Sequence, residues 1–455
     1  MGILGVRRED KSPWERRTPL VPTDVARLVQ SGVKVHVQKS PNRCFPDADF
    51  AKAGAELVDE LHDATVILGV KEVPVDRIIP GKSYLFFSHT MKGQPYNMPM
   101  LRKLLDEGCT LMDYELVTDE DGVRTIAFGR FAGLAGAIDT LWALGQRFQA
   151  EGIDTPFAEL RQSLDYQDLE EAFTAVRAVG KRIAQEGLPR EITPLAIAVT
   201  GEGGKVWGGA LEVLELLPHR KVAPAELPGW VSSGAAGRGA DRDAADLHQV
   251  ALVSYGPGEL VEPIAAGGTY AWEDYLHHPE KYRARFGQDL PHLTAIVHGI
   301  YWAEGYPRFV LRQDVERLYA NGATPRLRLI TDITCDVDGS NEALVKITEP
   351  GDPAYVLDPD TWKIRSGFQG RGPVVLGVDI LPAELPRDAS RHFSAALVDL
   401  APHLAKDEPF PSAHDPSVPG PLRRCLMVLR GQLTSPWDER LAEPLAAHGT
   451  ARNAS

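Results

Sequence analysis

Two short apolar runs, VILGVKEVP (66–74) and LFFSHTMKGQ (85–94), each stop at a residue that burial penalises: Lys71 in the first and His89 in the second. In a parallel sheet the C-terminal strand ends form a common rim where ligands sit. If the two runs are neighbouring strands, an ammonium and an imidazole share that rim. Each charge then disfavours the other. Such a pair is suited to moving protons on and off an amine or a carbonyl near neutral pH. The plainer alternative is a lysine ending a strand in solvent and a histidine capping the helix that follows.

Other charged residues extend this chemistry. WERRTPLVP places Arg16 and Arg17 ahead of the first helix, where a cation does nothing for the helix dipole. A guanidinium fork holds a carboxylate through two hydrogen bonds, so Arg17 is a candidate carboxylate binder, with a surface arginine as the alternative. Arg130 in FGRFAG is a second candidate. LMDYELV supplies Asp113 and Glu115, which alternate onto one face if the strand continues, and ITDITCDVDGS supplies Asp332 and Asp336. Each can take an ammonium, although an acidic residue at a strand end is ordinarily a cap.

AVTGEGGKVWGGALEVL reads as a strand, a glycine turn and an amphipathic helix. Glycines let backbone approach a phosphate, and free N–H groups at a helix start attract negative charge. Gly201 and Gly203 fit the first two positions of GxGxxG, but Val206 stands at the sixth. The strand-turn-helix context still points to a dinucleotide, held by Gly201, Gly203, Gly204, Lys205 and Val206, with a tight packing turn as the alternative. The next strand is expected to end near HRKVAPAEL. It offers Arg220 and Lys221 where a free ribose hydroxyl wants an acid, so the cofactor expected is NADP(H), with NAD(H) not excluded.

These residues need a scaffold. ILGVRR, KVHVQK, ATVILGVK, SYLFFSH and CTLMDYELV read as strands, the continuous apolar runs being buried on both faces of a parallel sheet. TPLVPTDVARLVQSGV and MPMLRKLLDEG read as helices between them. FAGLAGAIDTLWALGQRFQAEG reads as a long helix whose Gly133 and Gly136 let another backbone come close, and LEEAFTAVRAVGKRIAQEG as a second helix. The alternation predicts an α/β protein. A chain of 455 residues exceeds one hydrophobic core, so at least two domains are expected. Residues 232–246 read as an exposed mobile loop, 406–421 as a proline-rich linker with a short basic helix after it, and the last twenty residues as frayed.

A net charge of −14 argues against nucleic acid as the main partner. No run approaches the ~18 apolar residues of a membrane span, and the start carries no apolar export signal. Cys44, Cys109, Cys335 and Cys425 lack metal-ligand or CxxC spacing. They read as reduced thiols of a cytoplasmic protein without a metal site.

GVRREDKSPWERRTPLVP, VILGVKEVP, FFSHTMKGQ, LMDYELVTDEDGVRTIAFGRFAGLAG, HGIYW and HHPEKY together resemble the lysine–ketoglutarate reductase family. These are the lysine-forming saccharopine dehydrogenases, relatives of alanine dehydrogenase and transhydrogenase. The likeness runs to about residue 400 and is densest over the first 140. It implies two Rossmann-like domains with parallel sheets flanked by helices and the active site in the interdomain cleft. Residues 1–137 and 375–455 would form the catalytic domain, and 138–374 the dinucleotide domain.

The implied reaction joins the ε-amine of lysine to 2-oxoglutarate as an imine, which NADPH reduces to saccharopine. Lys71 and His89 fall at the family's acid–base pair and Arg17 at its oxoacid carboxylate. Arg130, Glu115 and Asp113 are further substrate candidates. Ile300 in HGIYW, Asp332 and Arg220 join the glycine turn as cofactor candidates. Only the reductase step is expected, because the chain ends soon after that region. Oligomeric state is left open. Glu202 departs from the family's turn by placing a negative charge near the pyrophosphate, and Pro228 to Leu252 matches nothing in the family. The rivals are therefore a related reductive aminase or oxoacid dehydrogenase using another amine, and a non-catalytic NADP-binding sensor.

Overall fold

The computed structural model describes residues 2–235 and 246–448. It forms two compact units: 1–128 with 386–455, and 129–385. The boundaries expected at 137/138 and 374/375 therefore fall at 128/129 and 385/386. The physical reason at the first is a helix: Gly129–Ala150 is continuous and belongs whole to the second unit.

The first unit begins with β1 (Ile3–Val6), α1 (Pro22–Gln30), β2 (Lys34–Gln38), α2 (Asp47–Lys52), β3 (Glu56–Val58), β4 (Val66–Leu68), β5 (Ser83–Phe86), α3 (Met98–Asp106) and β6 (Thr110–Asp113). The second unit carries α4 (Gly129–Ala150), α5 (Leu169–Glu186), β7 (Ala196–Thr200), α6 (Lys205–Leu214), β8 (His219–Lys221), α7 (Leu227–Ala235) and β9 (Val250–Tyr255). A small antiparallel pair, β10 (Val261–Pro263) with β11 (Tyr282–Ala284), precedes β12 (Ala295–His298), β13 (Leu329–Asp332), β14 (Ala354–Leu357), β15 (Ile364–Ser366) and β16 (Val374–Leu376). The chain returns to the first unit through α8 (Pro386–Leu397) and ends in β17 (Leu426–Leu429), β18 (Gln432–Leu433) and two short helices.

The first sheet runs β18-β17-β6-β5-β4-β1-β2-β3, with β1 to β6 parallel and the last two strands antiparallel. Residues 426–433, ahead of the twenty read as frayed, supply an edge: Asp113 N donates to Cys425 O at 2.9 Å and Arg430 N to Thr110 Oγ1 at 3.1 Å. The apolar strands pack into one core with Phe393 of α8. Phe393 stacks on Phe128 at 5.2 Å and meets Tyr114 edge-on at 4.7 Å.

The second sheet runs β15-β14-β16-β13-β12-β7-β9-β8, parallel except for β14 and β15. Both units are therefore α/β with mostly parallel, Rossmann-like sheets. The glycine faces act as their lack of side chains allows: Gly133 of α4 lies against the Val206 carbonyl of α6, and Gly209 of α6 against the Arg130 carbonyl of α4. A methyl at either position would overlap backbone. No helix among the described residues is long and apolar enough to cross a membrane. The four cysteines are buried free thiols. The loop expected at 232–246 lies mostly outside the described residues.

Candidate active site

In each sheet the strand order reverses at one point, between β1 and β4 in the first unit and between β7 and β12 in the second. Ligand crevices form beyond the carboxyl ends of strands at such points. Lys71 follows β4 and the glycine turn follows β7, whereas His89 follows β5, the next strand out.

In the first unit β4 and β5 are parallel neighbours, paired Val66 with Ser83 and Leu68 with Leu85. The ladder continues past the strands, with Phe87 N donating to Val70 O at 3.0 Å. Lys71 and Glu72 follow β4 directly, and His89 follows β5. The register has an offset of 17, which sets Glu72 rather than Lys71 level with His89. Glu72 Oε1 lies 2.8 Å from His89 Nδ1, and its Oε2 accepts from Lys11 Nζ at 2.7 Å. Burial acts to raise the Glu72 carboxyl, but hydrogen bonds and charge from His89 and Lys11 prevail and hold it at about 2. The expected picture of an imidazole set against an ammonium is thus corrected. The ring's immediate partner is an ionised carboxylate.

The surroundings are rigid. His89 has a φ of 51°, sparsely populated for a residue with a Cβ. It is fixed by Asn97 Nδ2 on its carbonyl at 3.3 Å and by a stacked Phe87 ring at 6.2 Å. The Lys71 backbone N–H donates to Glu9 Oε2 at 3.0 Å and that of Val70 to Glu9 Oε1 at 2.8 Å. Glu9 is buried, which raises its carboxyl, with Arg7 opposing. Burial also acts to raise Glu15, but the Arg17 guanidinium overrides it and lowers it, with the Lys71 charge adding to that effect.

Arg17 carries the predicted fork, but the carboxylate it meets is internal. Its Nε lies 2.8 Å from Glu15 Oε1 and its Nη2 2.6 Å from Oε2, and the group lies over Phe128 at 4.2 Å. At 3% exposed it is a buried ion pair of the scaffold. Asp113 is fully buried as well. Its Oδ1 accepts from Glu115 N at 2.8 Å, and its Oδ2 accepts from the Ser88 N–H at 3.1 Å and from the Ser88 hydroxyl. Burial pushes it up to about 6 against those bonds. Asp113 shapes the loop that carries His89. The strand ends at Asp113, so Glu115 does not share its face; it pairs with Arg124 Nη2 at 2.5 Å. Arg130 lies on α4 in the second unit, bidentate on Glu212 of α6 with Nε–Oε1 at 2.6 Å.

In the second unit β7 ends at Thr200 and α6 starts at Lys205, with no side chain capping its first turn. Gly201 (φ +88°) and Gly203 (φ +83°) make the turn. A Cβ on Gly201 would stand 3.1 Å from Ile300 Cα, whereas nothing lies within 4 Å of one on Gly203. The turn thus leaves open space beside the start of α6, where Gly204 as N-cap brings no side chain, which fits a dinucleotide pyrophosphate. Ile300 follows β12 beside it. Asp332 is 1% exposed and saturated, accepting from Thr334 N at 3.0 Å and Asn341 Nδ2 at 2.9 Å. It braces the strand end rather than facing a ligand.

Arg220 needs the larger correction. The strand beside β7 is β9, and β8 lies outside it at the edge. Arg220 is therefore exposed on the outer strand. The end of β9 carries Gly256, whose N–H donates to Glu259 Oε2 at 3.0 Å. A Cβ on Gly256 would stand 3.9 Å from Glu202 Oε2. The sequence reading took successive strands as neighbours and so missed Glu259. Glu72 was missed as well, because only the pairing of β4 with β5 sets it level with His89.

A family model for the alanine dehydrogenase/PNT N-terminal domain matches residues 5–135. The chain is 36% identical to alpha-aminoadipic semialdehyde synthase of Arabidopsis thaliana over 95% of its own length and 41% of that protein, and 36% identical to the mitochondrial protein of that name from Bos taurus over 87% and 43%. It thus spans less than half the length of these relatives. Among solved structures, an L-alanine dehydrogenase covers 97% of the chain (99% of its own) at a TM-score of 0.58 and 18% identity, and a Sinorhizobium meliloti transhydrogenase covers 95% (99% of its own) at 0.52 and 14%. Both share the fold. The NAD(+), L-lysine-forming saccharopine dehydrogenase of Emericella nidulans is 30% identical over 86% of this chain and 89% of that one. With that likeness along nearly the whole of both proteins, the chain belongs to the lysine-forming saccharopine dehydrogenase family.

Proposed function

We propose that this chain is an oxidoreductase that joins the ε-amine of lysine to 2-oxoglutarate and reduces the product to saccharopine, or runs the reverse. The observation that carries the reading is the Glu72–His89 pair beside Lys71 at the strand ends of the first unit. Glu72 stays ionised down to about pH 2, so His89 Nδ1 is the donor to it. That leaves Nε2 as the nitrogen that accepts a proton from the attacking amine and returns one to the departing hydroxyl of the carbinolamine. Lys71, anchored by Glu9 at its backbone, supplies positive charge for the carbonyl oxygen as it gains electron density.

The glycine turn, with Gly201, Gly203, Gly204 and the start of α6, would hold the dinucleotide pyrophosphate. When bound, the reduced nicotinamide supplies the hydride for the imine carbon. We infer NAD(H) over NADP(H). The ribose of a dinucleotide on this turn falls by the end of the neighbouring strand. That strand is β9, where Glu202 and Glu259 gather two carboxylates. A 2′-phosphate is repelled there, whereas a ribose hydroxyl finds acceptors.

The test is saccharopine formation, followed by mass spectrometry, from lysine and 2-oxoglutarate with NADH and, separately, NADPH. Product is expected with NADH, and H89N is expected to lose most of kcat. Absence of product with either cofactor overturns the reading. A different amine giving product in its place would assign the chain to a related reductive aminase.

A further inference from the structure

At the opposite end of the second sheet from the glycine turn, the chain gathers arginines that the reaction does not use. Arg326 and Arg328 lie one residue apart in the segment entering β13, both at a cavity of about 150 Å³ that Thr294, Thr324 and Glu191 also line. Arg328 Nε lies 2.9 Å from Glu151, which also takes Arg147 Nε at 2.6 Å. Two guanidiniums, Arg328 and Arg147, thus share one half-buried carboxylate, and Arg326 stands beside them. Glu191, the acid that lines the cavity, is exposed. Arg326 Nη1 donates to the Pro194 carbonyl at 3.0 Å, and no carboxylate pairs with Arg326 among the described residues. Arg328 Nη1 is buried with no hydrogen-bond partner among the described residues.

This excess is costly. Burial lowers Arg326, and the Arg328 charge lowers it further. The neighbouring His292 is also lowered, chiefly by burial, with Arg326 adding to it and Asp289 opposing. A chain of net charge −14 has many carboxylates to spare, yet none completes this cluster. A bound anion would offset the repulsion, and planar guanidinium forks beside hydroxyls suit a tetrahedral oxyanion. About 150 Å³ is room for roughly five waters, enough for an ion with part of its hydration and too small for a nucleotide.

We propose that the Arg326–Arg328 cavity is a binding site for a small oxyanion of the phosphate class, separate from the catalytic groups.

The test is titration of the full chain with inorganic phosphate by calorimetry, against sodium chloride at matched ionic strength. Saturable binding beyond chloride is expected for wild type. R326Q, and R326K which keeps the charge but loses the fork, should bind about tenfold more weakly. Absence of saturable binding overturns the proposal, and so does unchanged affinity in both variants, because it places the ion elsewhere. A parallel arm with adenosine monophosphate separates the sources. Failure to compete is expected of a cavity too small for a nucleotide and identifies the free ion as ligand, and competition overturns the assignment to a small free ion. Neither readout depends on the enzyme's substrate.

Discussion

Glu72 Oε1 and His89 Nδ1 lie 2.8 Å apart across the ends of two parallel strands, and the register of those strands sets the two residues level. The carboxylate fixes which ring nitrogen carries the proton. E72Q keeps the shape and removes the anion. Its kcat is expected to fall roughly 10²-fold, with KM for 2-oxoglutarate changing far less and E72D restoring part of the rate. Steady-state kinetics of the three proteins checks this; unchanged kcat in E72Q would detach the pair from catalysis.

The same pair sets a pH dependence of stability. Although burial opposes it, the bonds from His89 and Lys11 depress the folded Glu72 to about 2, below its unfolded value. Its contribution is therefore present above pH 4.5 and lost as pH falls from there towards 2. Lys11 is half exposed, so screening discounts the total to about 2 kcal/mol. Acid unfolding followed by circular dichroism should show a shallower slope for E72Q across that window.

A second buried pair acts in the other direction. Ser163 donates its N–H to Asp139 Oδ1 at 2.7 Å and its hydroxyl to Glu384 Oε2. Burial raises both carboxyls, and the Asp139 charge lifts Glu384 further, well above its ordinary value. A raised folded value means stability present at low pH and lost as pH rises through it. Thermal stability should fall more steeply for wild type than for E384Q, which cannot ionise, as pH rises from the ordinary carboxylate value of 4.5.

Gly133 and Gly209 let the backbones of α4 and α6 touch. In G133A a methyl meets the Val206 carbonyl, and backbone cannot give way as a side chain can. The expected cost is about 2 kcal/mol or more, lowering the melting temperature by roughly 5 °C. Because Val206 opens the nucleotide turn, NADH binding measured by fluorescence should weaken as well.

If Glu259 repels a 2′-phosphate, E259Q should lower the ratio of kcat/KM for NADH over NADPH by about tenfold. Glutamine can still accept from Gly256 N, so the turn survives. An unchanged ratio would remove Glu259 from cofactor choice.

What could be read beforehand followed from local physics. Continuous apolar runs at 66–70 and 83–87 marked buried parallel strands, and the glycines at 201 and 203 marked the turn. Lys71 and His89 were found because polar residues at strand ends are conspicuous. What escaped depended on pairing that periodicity does not show, whether close in the chain or distant. Arg17 was recognisable as a fork, but its partner Glu15 lay two residues away in a bend that no periodicity reveals. β9 inserts between β7 and β8, and strand order is a property of the whole sheet. The strands at 426–433 were not singled out in the sequence, yet β17 and β18 cover the edge of β6.

That last feature bears on biosynthesis. The second unit is one uninterrupted stretch, complete once residue 385 has left the ribosome. The first must wait for residues 426–433, made about three hundred positions after the strand they cover. Through that interval β6 offers its unpaired backbone to any other nascent chain. Shortening the synthesis of the tail, or supplying it in trans, should change the soluble yield without altering a single contact of the finished protein.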